Sequence, residues 1–265
     1  SDIDLRYVRG FDMFLQKRGC CGNTRKFYFK ALRAILNRAN AEGVGSAATY
    51  PFGRGGFEVS KLEEATAKRY LPAAELSKLK STTASNPQCE YARKLFLFSY
   101  YCYGISFIDM AMLTTAHIKQ MEDGDYIVYK RQKIKRQKGV KPISIKITPA
   151  IRQLIGSLQA ASPTVDDFLL PIVTRSGYTG ERLYMHIRTR YSKYQKYLRL
   201  LAEELGIDFH LTSYVSRHTA AMTLQRNHIP REVISQMLGH ADLETTNIYL
   251  DSFDNEVINE AAKVL

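Results

Sequence analysis

One island of strand-like alternation interrupts a chain whose apolar residues otherwise repeat at helical spacing. In "HIKQMEDGDYIVYKRQ" the dipeptide Asp123-Gly124 stands between two alternating runs, which predicts a tight hairpin turn. A third alternating run follows in "KPISIKIT", residues 141–148. An isolated two-stranded ribbon is barely stable in water, so this small sheet needs helices to cover it. The expected fold class is therefore mainly α with a small antiparallel β-sheet, an α+β arrangement.

The helices divide into two groups. "DIDLRYVRGFDMFLQKRG" places Leu5, Val8, Phe11, Phe14 and Leu15 on one stripe, with Gly19 or Gly22 as a stop. Asn23-Thr24 is expected to cap a second helix with Tyr28, Leu32, Ile35 and Leu36 on its apolar face. "TYPFGRGGFEVS", residues 49–60, is punctuated by Gly and Pro and reads as a connector. The expected organisation is a basic helical domain at 1–58, a linker at 59–69 and a larger domain at 70–265. In the latter, "YLPAAELSKL" opens a helix, residues 91–102 form an apolar one, and the chain after Pro149 is mainly helical. Pro230 is placed to start a late helix with Val233, Ile234 and Met237 inward, ended by Gly239.

Charge narrows the partner. The chain has 38 Lys and Arg against 26 Asp and Glu, a net +12, which favours a polyanion, nucleic acid before membrane. The longest apolar stretch, "LFLFSYYCYGISFIDMAML" (Leu95 to Leu113), carries Asp109 and several tyrosines, so it reads as core helix rather than a membrane span. No leader pattern opens the chain, and a cytoplasmic location is expected. Cys20, Cys21, Cys89 and Cys102 lack ligand spacing and read as reduced thiols. His117, His186, His210 and His228 show no metal spacing either, and His218 reads as a core histidine.

The segment "KRQKIKRQKGVK", residues 130–141, holds seven cations and no acid. It is read as a loop reaching toward phosphates, with Lys130, Lys135, Arg136 and Lys138 as backbone contacts. Arg25, Lys26 and Lys30 of the second helix are candidates of the same kind.

Three short motifs then fall in order. Arg217 lies in "RHT", His240 closes "LGH", and Tyr249 follows that histidine by nine residues. In this order and spacing they resemble the C-terminal signature of the tyrosine recombinase (phage integrase) family. The resemblance covers the whole chain: the first helices resemble that family's core-binding domain, "YLPAAELSKL" the opening of its catalytic domain, and "YGISFIDMAML" a branch found in Bacteroidetes mobile-element integrases.

What the resemblance implies can be carried over residue by residue. Tyr249 is the expected nucleophile, forming a 3′-phosphotyrosine and freeing a 5′-hydroxyl. Arg217 is expected to hold non-bridging phosphate oxygens, a role suited to a planar, permanently charged fork. His240 is expected to position the phosphate or assist proton transfer, and Lys133 to protonate the leaving 5′-oxygen. Double-stranded DNA is the implied partner, and a homotetramer on DNA the implied assembly. No metal and no cofactor is implied.

Two positions depart from the family pattern. Ser106 stands where the first-box arginine normally falls, and Arg131 is the expected substitute, two residues before Lys133 on a strand and so on the same face. Tyr214, three residues before Arg217, replaces the usual His or Lys. A type IB topoisomerase and an inactive, recombinase-derived DNA-binding protein are the rival readings. The chain begins inside a helical pattern, so a further N-terminal arm-binding domain is expected before it. The tail at 251–265, with Phe253, Val257 and Ile258 at helical spacing, is expected to form a helix that docks on a neighbouring protomer.

Overall fold

The computed structural model describes residues 3–64 and 70–240 together with Thr246 and Leu250. The chain divides into two compact units, residues 1–67 and 68–265. Tyr249 and the expected docking helix at 251–265 lie outside the described residues.

The first unit is built on α1 (Leu5–Lys17) and α2 (Gly22–Ala41). Asp4 caps α1 by accepting from the Tyr7 amide at 2.8 Å, which satisfies one of the unpaired donors at the helix start. Val8, Leu15, Phe29 and Val59 form its core, with Phe11, Leu32, Phe52 and Phe57 packed around them. The inward face of α2 is therefore Phe29 and Leu36, while Tyr28 and Ile35 of the expected stripe are 45% and 65% exposed. Asn23 does not cap α2. Residue Cys21 holds that position, and the Asn23 side chain donates instead to the Glu64 carbonyl at 2.7 Å. The segment 49–60 is also no free connector. It carries short 3-10 turns at Ala47–Thr49 and Val59–Leu62 and inserts Val59 into the core.

The second unit has α4 (Pro87–Tyr101) at its centre, packed against α3 (Ala73–Ser81), α6 (Pro149–Ala161), α7 (Gly180–Glu204) and α8 (Ser213–Arg226). Asn86 caps α4, and Pro87 occupies its first turn, where a missing N–H costs nothing. Phe96 and Phe98 are fully buried; each such burial is worth about 1.5–3 kcal/mol. The short α5 (Phe107–Ala111) follows, capped by Ser106.

The sheet is a three-stranded antiparallel meander of β1 (Ile118–Met121), β2 (Gly124–Tyr129) and β3 (Ile143–Lys146). Met121 pairs with Gly124, so the tight turn is Glu122-Asp123, one residue upstream of the expected Asp123-Gly124. Ile127 faces Ile145, and both are fully buried. The final described helix is α9 (Arg231–Leu238), whose buried positions are Ile234, Ser235 and Leu238. Val233, expected inside, is 44% exposed. Ile234, Leu238 and Leu250 pack with Ala221 and Met222 of α8 as a satellite core.

Candidate active site

Arg217 sits one turn into α8 and is buried to 4% exposure. Its Nη1 donates to the Gly104 carbonyl at 3.1 Å, and its Nη2 to the Leu238 carbonyl. The same Nη2 stands 2.9 Å from His240 Nε2. A guanidinium only donates, so Nε2 must be the lone-pair nitrogen of that imidazole. The proton is then on Nδ1, which lies 2.8 Å from Thr246 Oγ1 and donates to it. His240 is thereby fixed as one tautomer between an arginine and a threonine.

Two glycines make this approach possible. Gly104 has φ +71°, and a Cβ there would collide with the Cα and side chain of Arg217. Gly239 ends α9 in the left-handed conformation at φ +64°, and a Cβ there would strike Ile143 of β3. Gly104 is needed both for φ and for space, because the clash is with backbone; Gly239 is needed chiefly for φ.

Arg131 enters the same site from the segment after β2. Its Nη1 donates to the Gly239 carbonyl at 3.3 Å. Arg131, Ser106, Tyr214 and Arg217 line one cleft of about 380 Å³. The reason for Arg131's approach is Asp109, buried at 3% exposure in α5. One carboxylate oxygen accepts from the Gln132 amide at 2.7 Å, and the other from the Ser106 hydroxyl at 2.6 Å. Ser106 thus helps hold the carboxylate that pins the chain beside Arg131.

The placement of Arg131 and Lys133 on a strand is corrected by the structure. β2 ends at Tyr129, and residues 131–137 form successive turns, with Ile134 donating to the Arg131 carbonyl and Gln137 to that of Ile134. A shared strand face therefore does not relate the two cations. Arg131 turns inward, whereas Lys133 is exposed, as are Lys130, Lys135, Arg136 and Lys138. His240 and Lys138 line a neighbouring recess between this loop and α9.

Tyr214 is 54% exposed at the mouth of the cleft, its ring edge-on to His218 at 5.1 Å between centroids. Tyr129 is buried close to the same charges. Burial pushes its phenol up, the Asp109 carboxylate adds to the rise, and Arg217 opposes it. That tyrosine stays protonated and is unsuited to attack.

Two of the expected phosphate contacts in the first unit are already engaged. Arg25 is paired with Asp12 at 2.9 Å, and Lys26 with Glu63 at 2.6 Å. The Lys26 hydrogen bond holds the Glu63 carboxyl below its usual range. Lys30 remains exposed.

No group of three or more His, Cys, Asp or Glu able to hold a metal occurs among the described residues. Within them no helix is long and apolar enough to cross a membrane. Cys89 and Cys102 are buried free thiols, and burial pushes both pKa values up.

Asp109, Gly104 and Thr246 were not among the residues singled out by chemistry in the sequence. Asp109 did leave a signal, as the one charged residue between Leu95 and Leu113. Gly104 and Thr246 left none.

Comparison with known proteins identifies both units. Residues 1–59 match the Phage integrase SAM-like domain, and residues 69–256 match the Phage integrase family. Tyrosine recombinase XerC of Rhodospirillum centenum is 31% identical over 114 residues, 43% of this chain and 31% of that protein. Tyrosine recombinase XerD of Halalkalibacterium halodurans is 43% identical over 54 residues, 20% of this chain and 18% of that protein. The matched stretches thus span less than a third of either relative. Among solved structures, the Tn1549 transposon integrase in complex with transposon right end DNA superposes with a TM-score of 0.69 at 12% identity, covering 99% of this chain and 85% of that one. The XerH site-specific recombinase bound to its palindromic difH substrate gives 0.68 at 19% identity, covering 99% and 72%. With family matches over both units, this chain belongs to the phage integrase family.

Proposed function

We propose that this chain is a site-specific DNA recombinase that cuts and rejoins double-stranded DNA through a 3′-phosphotyrosine at Tyr249. The observation that carries the reading is that Arg131 and Arg217 line one cleft while Arg217 also bonds His240 beside it, within the part of the chain that matches the family. A phenol with a pKa of about 10 is a weak nucleophile at neutral pH. Cations around the phosphate favour the phenolate and stabilise the charge that builds on the oxygens in the transition state.

The steps balance without any other reagent. Tyr249 Oη attacks phosphorus as the bond to the 5′-oxygen breaks. His240 accepts the phenol proton on Nε2, whose lone pair is freed when the phosphate oxygens draw the Arg217 Nη2 donor away from it. Lys133 protonates the departing 5′-oxygen. Arg217 and Arg131 hold the non-bridging oxygens, with Arg131 taking the part that Ser106 cannot, and Tyr214 donating from the rim. Attack by a 5′-hydroxyl of another strand reverses the sequence and releases Tyr249. The phosphoester energy is conserved throughout.

In this reading the protein acts as a tetramer on DNA in the cytoplasm and serves a mobile element. The likeness in fold to a transposon integrase supports the mobile-element part, and that to DNA-bound XerH supports the DNA partner. Incubation with DNA nicked just beyond the cleavage point, so that a short 5′-hydroxyl fragment diffuses away, should trap a covalent protein–DNA adduct. The adduct should vanish in Tyr249→Phe, with DNA binding retained. An adduct persisting in that variant would move the nucleophile elsewhere.

A further inference from the structure

The cleft beside Arg217 is larger and more apolar than a phosphate needs. Arg131 and Arg217 reach one part of it, while Phe107, Ile108, Tyr184 and Tyr191 wall the rest. Its volume of about 380 Å³ lies at the small end of ligand pockets, the size for a single nucleotide rather than a partner helix. The wall is fixed in place. Tyr191 Oη is 3.1 Å from Ser213 Oγ and accepts from Gln195 Nε2 at 3.2 Å. Phe107 packs against Tyr191 at 5.3 Å and stacks on Tyr194 at 5.1 Å. Tyr184 leaves 56% of its surface to water, with the Arg188 guanidinium 5.9 Å from its ring centre.

Aromatic faces beside phosphate-holding arginines have nothing flat to meet in an intact duplex, which presents only backbone and groove edges. The face of a base becomes available once it unstacks. We propose that the apolar half of the cleft is a nucleoside subsite, holding unpaired the first nucleoside of the strand that carries the freed 5′-hydroxyl. The inference rests on the recombinase reading, in which that strand must part from its complement before it can join another. The cations Arg131, Arg188 and Arg217 on the lining select a nucleotide over an apolar protein segment as occupant.

The test needs no knowledge of the natural target. Full-length Tyr249→Phe protein is titrated by fluorescence anisotropy against three 30-base-pair probes: a fully paired duplex, the same duplex with one extra unpaired thymidine, and the same with an extra abasic residue. Stacking on the wall should make the unpaired-thymidine probe bind about fivefold or more tighter than either of the others. Tyr184→Ala, at an exposed position, should remove most of that gain, and Tyr184→Phe should keep it. Equal affinity for thymidine and abasic probes, or a gain that survives both Tyr184→Ala and its combination with Tyr191→Leu, would overturn the subsite while leaving the recombinase reading intact. So would a Tyr184→Ala protein that keeps the gain but loses cooperative loading, since the cleft would then seat a second copy of the chain. Failure of all three probes to bind would instead strike the recombinase reading itself.

Discussion

The Nη2 atom of Arg217 lies 2.9 Å from Nε2 of His240, and this contact decides where the imidazole proton resides. With Nδ1 as donor, the Thr246 hydroxyl becomes the group that holds the tautomer. Thr246→Val keeps the shape but strands the Nδ1 proton. Cleavage of a nicked substrate should slow by about tenfold to a hundredfold, as expected for losing a partner that orients a functional imidazole rather than the imidazole itself. Thr246→Ser should recover most of the rate, and DNA affinity should change little in either variant. Single-turnover cleavage beside anisotropy separates the two effects; equal rates for the Val variant and the parent would refute the positioning role.

Asp109 makes a different prediction, because it anchors backbone as well as side chain. Asp109→Leu leaves the Gln132 amide and the Ser106 hydroxyl without their acceptor. Stranding buried donors should cost about 1–3 kcal/mol in urea unfolding. Arg131 should also lose its approach to the cleft, so adduct formation should fall further than stability alone explains. Asp109→Asn, which retains one acceptor oxygen, should fall between the two.

Cations that look alike in sequence should separate cleanly by experiment. Replacing Lys135, Arg136 and Lys138 with Ala should weaken DNA binding at every sequence and reduce the salt slope by about one unit per lost phosphate contact. Arg25→Ala should leave the slope nearly unchanged and lower the stability of the first unit, since Arg25 is already paired with Asp12. A large change in slope for Arg25→Ala would show that the ion pair opens on DNA.

His186 supplies a pH dependence outside the site. Its Nε2 accepts from the Thr174 amide at 3.2 Å. Burial holds its pKa below the ordinary 6.5, and Arg190, Arg175 and Lys193 press the same way. The unfolded chain therefore binds the proton more readily than the folded one. Stability from this group is complete above about pH 6.5 and is lost as pH falls through the lower folded value. Melting temperature should drop between pH 7 and pH 5, and His186→Gln, which keeps an acceptor for Thr174, should flatten part of that drop.

Much of the architecture was legible because helical periodicity and a meander with alternating faces leave direct marks on sequence. The misreadings have local causes. In α2, Tyr28 and Ile35 sit one residue from Phe29 and Leu36, so two adjacent stripes carry similar apolar patterns, and tertiary contact with Val8 and Val59 selects between them. The Asp123-Gly124 dipeptide is a strong turn signal, yet pairing of Met121 with Gly124 puts the turn one residue earlier. The Gly- and Pro-rich stretch at 49–60 resembles a linker in composition while Val59, Phe52 and Phe57 give it a core to join. Arg131 could be singled out in the sequence, but not the means by which it reaches the cleft. That depends on Asp109, 23 residues before Gln132, accepting a hydrogen bond from the Gln132 amide that no residue pattern advertises.

The cradle around Arg217 includes the carbonyls of Gly104 and Leu238, and that of Gly239 holds Arg131. Main-chain oxygens are common to every residue type, so this part of the cradle is encoded by the path of the chain and not by the identity of its side chains. Substitutions can accumulate around it without erasing it, provided the two glycines keep their room. A charged centre built this way can outlast most of the sequence that first produced it.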